Sequence, residues 1–287
     1  MSVVRAIIVD RRSEPQWDVM RAAVVGHVEW IEFLRVENVP KPGEIVTAVE
    51  SWQESGGGGG VAAARLAELA DEVVMFTALG EDELGRRAKR ELEACGVRME
   101  VAWRDAPQRR AIVLLDEVGE RTITVIGERH APGAGDELCW DDLAETDAAY
   151  FTAGDRAALL QARRAGALVA TSRELDLLQA ASVQVDAVVG SGSDEKEQYV
   201  PASLDPPPGI AVVTSGSLGG WAHPGGPFRA QPLKGPREDT YGCGDSFAAG
   251  LAYALGRGTP AAEAVTFAAS CGADALTRRG ALGHSHL

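Results

Sequence analysis

The sequence predicts an α/β fold: a mostly parallel central sheet with helices on both faces and a small antiparallel β lid. Two observations predict it. From about residue 60 onward, short β-rich runs alternate with helical patterns, and such alternation builds parallel sheets through crossover helices. Two further β-rich regions break the alternation without crossover helices, which suggests an inserted lid. Sites in sheets of this kind lie beyond the carboxyl ends of the strands.

Taken in order, Ile45–Glu54 reads as an antiparallel lid strand. The glycine run Gly56–Gly60 leads into the small-residue stretch Val61–Ala70, which reads as a helix. Glycine runs are commonly flexible linkers. One lying between a strand and an Ala-rich helix instead points to close backbone approach to a ligand. Val73–Ala78 is a buried strand, and in Asp82–Cys95 the residues Leu84, Ala88, Leu92 and Cys95 share one helical face that Gly96 terminates. Ala111–Ile126 reads as a hairpin turning at Glu117–Glu120. Ala148–Thr152, Leu168–Thr171, Ala187–Val189 and Ile210–Thr214 read as buried strands. Pro206–Pro208 is a surface loop. No linker divides the chain and no repeat is present, so residues 1–287 read as one domain with lid strands within about 27–55 and 108–128.

The 287 residues carry 28 Lys plus Arg against 42 Asp plus Glu, a formal net charge of −14. That balance disfavours duplex nucleic acid and anionic membranes as partners. It leaves ATP open, because a nest of backbone amides holds phosphate inside a negative field. Cys95, Cys139, Cys243 and Cys271 form no metal-ligand spacing and read as reduced thiols. No apolar run reaches the roughly 18 residues needed to span a bilayer. The opening MSVVRAIIVDRRSEPQ is too interrupted for a signal peptide, so the expected location is cytoplasmic.

The densest signal is Asp239-Thr-Tyr-Gly-Cys-Gly-Asp-Ser-Phe247. Phe247, Leu251, Ala254 and Leu255 fall on one helical face, so Gly242-Cys243-Gly244 turns into a helix N-terminus, where free N–H groups favour an anion. Asp245 lies in the first helical turn, where it can simply complement the dipole. A carboxylate beside a glycine-rich anion nest also suits phosphoryl transfer. There Asp245 would accept the proton of an attacking hydroxyl while the amides of residues 242–244 hold phosphate oxygens.

That string resembles the second signature of the ribokinase-like (PfkB) carbohydrate and nucleoside kinases, departing only at Cys243, where the family usually has Ala or Gly. The resemblance covers roughly Ala22–Gly283. Gly26-His-Val-Glu-Trp-Ile31 and Pro40-Lys-Pro-Gly-Glu44 look like the family's first strand and the string leading into its lid. Gly56–Ala64 sits where the family has its first signature, and Gly80-Glu-Asp82 with Gly85 matches a further string. Thr214–Gly219 looks like the loop flanking the adenine nucleotide, and Thr277–Ala281 like the closing segment. The resemblance implies a ribokinase-like three-layer sandwich and an ATP-dependent kinase of a sugar, nucleoside or related alcohol. Asp245 would be the base, Gly242–Gly244 the anion hole, and Thr214, Gly216 and Gly219 the nucleotide's neighbours. It further implies Mg²⁺, K⁺ in many family members, and a homodimer through paired lid strands.

The acceptor side departs from the family. Ile31 stands where an Asp usually holds sugar hydroxyls, and Val61 replaces the Asn four residues after the glycine pair, which implies a more apolar pocket floor. Glu29 shares a strand face with Ile31, so it either substitutes for the Asp or sits on a solvated edge. Gly56 and Gly57 would approach the acceptor. Asp155 either adds a lid-side contact or caps the following helix. Trp30 and Trp52 either stack on the acceptor or pack. The metal-associated string reads Ser191-Gly-Ser-Asp194, so Asp194 would act on Mg²⁺ through water. Asp239 resembles the residue that helps hold a monovalent cation. The first 20 or so residues have no counterpart. The lost Asp and Asn leave open a non-catalytic nucleotide- or sugar-binding regulatory module. A dinucleotide-binding oxidoreductase would need G-x-G-x-x-G after the first strand, where Gly26 stands alone.

Overall fold

Strand β1 (Arg21–Val25) is buried at four successive positions because it lies in the middle of a sheet covered on both faces. The structure, a computed structural model, describes residues 19–283. The sequence reading of the N-terminal apolar patch falls on residues 1–18, outside that range.

After β1 the chain leaves the large sheet to build a lid from β2 (Glu29–Arg35) and β3 (Glu50–Gly56). Helix α1 (Gly57–Leu69), β4 (Glu72–Gly80), α2 (Glu83–Ala94) and β5 (Val97–Arg104) return it to the large sheet. Strands β6 (Arg110–Leu115) and β7 (Arg121–Ile126) complete the lid. Then come β8 (Ala148–Phe151), α3 (Arg156–Ala162), β9 (Ala167–Thr171), α4 (Leu175–Ala181), β10 (Ala187–Ser191) and β11 (Ile210–Thr214). An edge hairpin, β12 (Gly220–His223) and β13 (Gly226–Phe228), precedes α5 (Cys243–Gly256) and α6 (Ala261–Ala275).

The large sheet has the order β13-β12-β11-β10-β9-β8-β1-β4-β5. It is parallel from β5 through β11 and antiparallel only at the edge hairpin. Alternation along β1 divides the core: Ala22 and Val24 pack with α1, α2, α5 and α6, whereas Ala23 and Val25 pack with α3 and α4. The result is the expected three layers. Strand order reverses between β1 and β8, so the switch-point crevice opens beyond Val25 and Phe151.

The lid has the order β3-β2-β6-β7. Its outer ladders are antiparallel, while the central β2–β6 ladder is parallel. Ile31, Phe33, Ala111, Val113 and Leu115 turn inward and join the α1-side core. Residues 45–49, expected within a lid strand, stay outside it. The β2–β3 ladder ends at Arg35↔Glu50, so earlier residues have no strand opposite them, and Ile45 is 98% exposed.

The glycine run is less a linker than a helix start. Gly56 ends β3, and Gly57–Gly60 form the first turn of α1.

Candidate active site

Helix α5 begins with Gly242 at φ +71°, a left-handed conformation that glycine adopts without steric cost. A side chain there would also meet Val61 Cγ1 at 2.8 Å, so Val61 fills the floor under the turn. The first intrahelical bond runs from Ser246 N–H to Gly242 O, at 2.9 Å. The amides of Cys243, Gly244 and Asp245 therefore precede the helical ladder. A Cβ on Gly244 would meet nothing within 4 Å, so the turn faces open space. Burial pushes the Cys243 thiol up, which keeps it protonated at neutral pH.

Asp245 lies in the first turn of α5. Tyr150 Oη, on β8, donates to its Oδ1 at 3.4 Å, and a Cβ on Gly58 would lie 2.9 Å from the same oxygen. Asp245 is half-buried. Burial first, and the Glu197 charge second, push its pKa up from 3.8 to about 6, against the pull of Arg173 and Arg121.

On the lid side, Gly57 has φ +76°, and a side chain on it would crowd Glu29 and His27. Its N–H donates to Tyr241 Oη at 3.0 Å. Glu29 and Gly56 are paired directly across the lid ladder. Glu29 is buried rather than on a solvated edge, and its carboxylate lies 2.7 Å from Arg109 Nε. Burial raises the Glu29 pKa while Arg109 draws it down. His27 follows β1 directly. Its Nδ1 is buried without a hydrogen-bond partner, and burial, reinforced by Arg129, Arg109 and Arg173, lowers its pKa to about 3.

Asp155 is exposed and N-caps α3, accepting from Ala158 N–H at 2.6 Å and from Ala134 N–H at 3.3 Å. The tryptophans pack: Trp52 lies between Phe33 and Arg279, and Trp30 is buried under Arg87.

Asp239 is fully buried. Its oxygens accept from Tyr241 N–H and Gly280 N–H, both at 2.8 Å, tying the turn to the C-terminal segment. Asp194 follows β10 and pairs with Arg173 Nη2 at 2.5 Å, while Glu197 pairs with Arg173 Nε at 2.6 Å. Thr214 ends β11, and its Oγ1 donates to Gly190 O at 3.2 Å. Gly216 (φ +53°) and Gly219 (φ +92°) shape the next loop, with Gly219 against the backbone of Phe228–Ala230. One residue further, Gln231 with Thr266 and Phe267 lines an open hollow of about 480 Å³.

The structure also assembles groups that sequence reasoning missed: His27, Arg109, Arg129, Tyr150, Arg173 and Glu197. Arg121, at the start of β7, donates to Thr240 O at 2.6 Å and seats the lid hairpin on the glycine turn. Chemically, the arrangement sets three amides ahead of the helical ladder, a recessed carboxyl with a pKa near 6, and acid–arginine pairs at Glu29–Arg109, Glu174–Arg129 and Glu197–Arg173.

Residues 20–173 and 167–285 match the family described as pfkB family carbohydrate kinase. An ATP-dependent ribose-1-phosphate kinase of Halopiger xanaduensis is 31% identical over 284 residues, covering 91% of this chain and 94% of the relative. Among solved structures, ribokinase from Cryptococcus neoformans in complex with ADP has a TM-score of 0.70 at 20% identity, covering 92% of this chain and 96% of its own. Arabidopsis thaliana ribokinase with ribose and ATP has a TM-score of 0.67 at 20% identity, covering 92% and 94%. Adenosine kinase from Sinorhizobium meliloti has a TM-score of 0.70 at 20% identity, covering 92% and 95%. These structural likenesses establish the ribokinase-like fold.

Proposed function

Because the chain belongs to the pfkB family of carbohydrate kinases, we propose that it uses ATP to phosphorylate a hydroxyl of a sugar, nucleoside or related small alcohol, with Asp245 as general base. The observation that carries this reading is Asp245 itself: in the first turn of α5, beside Tyr150 and Gly58, with burial holding its pKa near 6. The acceptor oxygen attacks the γ-phosphorus, the bond to the β-phosphate oxygen breaks, ADP leaves, and the hydroxyl proton passes to Asp245. The amides of residues 242–244 hold the phosphoryl oxygens as charge builds. Thr214, Gly216 and Gly219 flank the nucleotide, and the open hollow at Gln231 and Phe267 lies at the end of that loop.

Asp194, whose two oxygens already accept from Arg173 and from Lys196 N–H, and Glu197, paired with Arg173, would meet Mg²⁺ only through water. Bound with the nucleotide, Mg²⁺ supplies charge neutralisation. Asp239 gives less support to K⁺, since both its oxygens already accept amide hydrogens. Gly56, Gly57 and Glu29 border the acceptor. The chain acts as one unit with its lid, in the cytoplasm and as a homodimer; among the described residues no helix is long and apolar enough to cross a membrane.

The test is Asp245→Asn. ADP release should fall about 10²–10⁴-fold, while ATP binding by calorimetry stays within a few-fold of the parent. Turnover at the parent rate would remove Asp245 from the mechanism.

A further inference from the structure

Asp245 Oδ1 ends a chain of hydrogen bonds that begins in the central sheet. Tyr150 is the third of the four residues of β8, opposite Val24 on β1 and Val169 on β9. Its side chain therefore rises on the same face as theirs, toward α1 and α5. The residue is 3% exposed, and its Oη donates to Asp245 Oδ1 at 3.4 Å. Thr171, the last residue of β9 and also buried, donates to that Oη. Thr171 Oγ1 in turn accepts from Arg173 N–H at 3.3 Å, which leaves its own proton for Tyr150. The bonds run one way, from the Arg173 amide through Thr171 and Tyr150 to the carboxylate, and bonds in series polarise one another.

Packing alone does not account for these hydroxyls. Phenylalanine and valine would occupy much the same core space, and a hydroxyl taken out of water costs free energy unless it finds a partner. Here each partner leads to the next, and the last is the carboxylate in the first turn of α5. Burial first, then the Asp245 charge, push Tyr150 well above its ordinary pKa, so it stays a donor at working pH.

Two neighbours address the same oxygen. Tyr150 donates to Oδ1, and a Cβ on Gly58 would lie 2.9 Å from it, with His27 Cε1 at 3.5 Å on the other side. Oδ1 is thus held between β8 and the start of α1. A carboxylate with one oxygen tethered keeps the other aimed in one direction.

We infer that Tyr150 is a positioning residue for the proton transfer: it tethers Oδ1, so that Oδ2 is the oxygen that takes the acceptor's proton, and Thr171 holds Tyr150 in place. The acceptor O–H bond breaks as Oδ2–H forms, and Tyr150 keeps its own proton. At 3.4 Å the tether is long, as catalytic hydrogen bonds often are before the reactants bind. The inference rests on the reading of Asp245 as base, and its test separates the two.

The tether favours the charged carboxylate, so it holds the Asp245 pKa below what burial would otherwise give. Glu197 after β10 pushes the same carboxyl up, while Arg173 after β9 and Arg121 on β7 pull it down. Tyr241, Cys243 and His27 nearby are neutral. All of these groups are kept in Tyr150→Phe, so a shift in that variant reads the hydroxyl.

ADP release is measured from pH 5 to 9 with ribose, adenosine or ribose 1-phosphate, whichever the parent turns over fastest. Tyr150→Phe should lower kcat about tenfold, with KM for ATP and for the acceptor within about twofold of the parent. Its acid limb should move to higher pH by about half a unit or more. Thr171→Val should move the limb the same way by less. A lowered kcat with an unmoved limb would show a purely structural role and overturn the inference. Asp245→Asn at the parent rate would remove the base itself, a separate failure. If none of the three acceptors is turned over, a double-variant cycle in urea decides. Tyr150→Phe should cost more stability in the parent than in Asp245→Asn at pH 8, and the difference should vanish at pH 4, where the folded carboxyl is protonated. That pattern sustains the tether, and equal costs at pH 8 overturn it.

Discussion

A base that works near neutral pH is helped by a carboxyl held above its ordinary 3.8, and burial, then the Glu197 charge, push Asp245 up to about 6. The sign of that shift fixes two expectations. Below pH 6 the carboxyl is protonated, so kcat/KM should fall about tenfold per pH unit on the acid side, with an apparent pKa near 6. A flat profile down to pH 5 would contradict this. The same shift costs stability. An unfolded chain ionises Asp245 near 3.8 and the folded one near 6, so the penalty accumulates between those values and is fully present above them. Asp245→Asn should therefore stabilise the fold by on the order of 1–3 kcal/mol at pH 8 and by almost nothing below pH 4. Urea midpoints at the two pH values read this directly. An equal gain at both would show that the penalty is not electrostatic.

At the scale of elements, two glycine-led helix starts face each other: α1 brings Gly58 against Asp245, and α5 brings Gly242 against Val61. Gly242→Ala should be costly, because φ +71° disfavours a side chain and the new Cβ meets Val61 at 2.8 Å. A loss of about 1–3 kcal/mol in chemical denaturation is expected. Val61→Ala in the same chain should recover the steric part but not the φ part. Full recovery would mean that the backbone at 242 is unstrained.

These starts also mark what the sequence made legible. The α5 signature, the glycine run and the buried strands announced themselves because each is local: a period, a breaker, a string. Residues 45–49 looked like strand because their composition is right, yet pairing is non-local and β2 stops too soon to receive them. Arg109, Arg129 and Arg173 were invisible for the same reason. They are separated by 20 and 44 positions in the sequence, and only the β6–β7 return and the β8–β9 crossover bring them to one crevice.

For the whole molecule, the lid leaves an unpaired edge. Strand β7 is last in its sheet, and its residues from Arg121 to Val125 are exposed, including Ile123 and Val125 at 41% and 43%. Exposed apolar edge strands pair with another chain unless something blocks them. Nearby in sequence to the lid strands, Ile45 and Val49 are also exposed. The proposed homodimer would cover such surface by edge pairing. It must form against a net charge of −14 per chain, so association should strengthen as salt screens the repulsion. Sedimentation velocity should therefore show a dimer at 0.3 M salt and partial dissociation at 0.02 M. Ile123→Lys with Val125→Lys should give a monomer at both while leaving Asp245 chemistry intact, since both side chains stand exposed on the lid's edge strand. A parent that stays monomeric at high salt, or a double variant that still dimerises, would move the interface away from the lid.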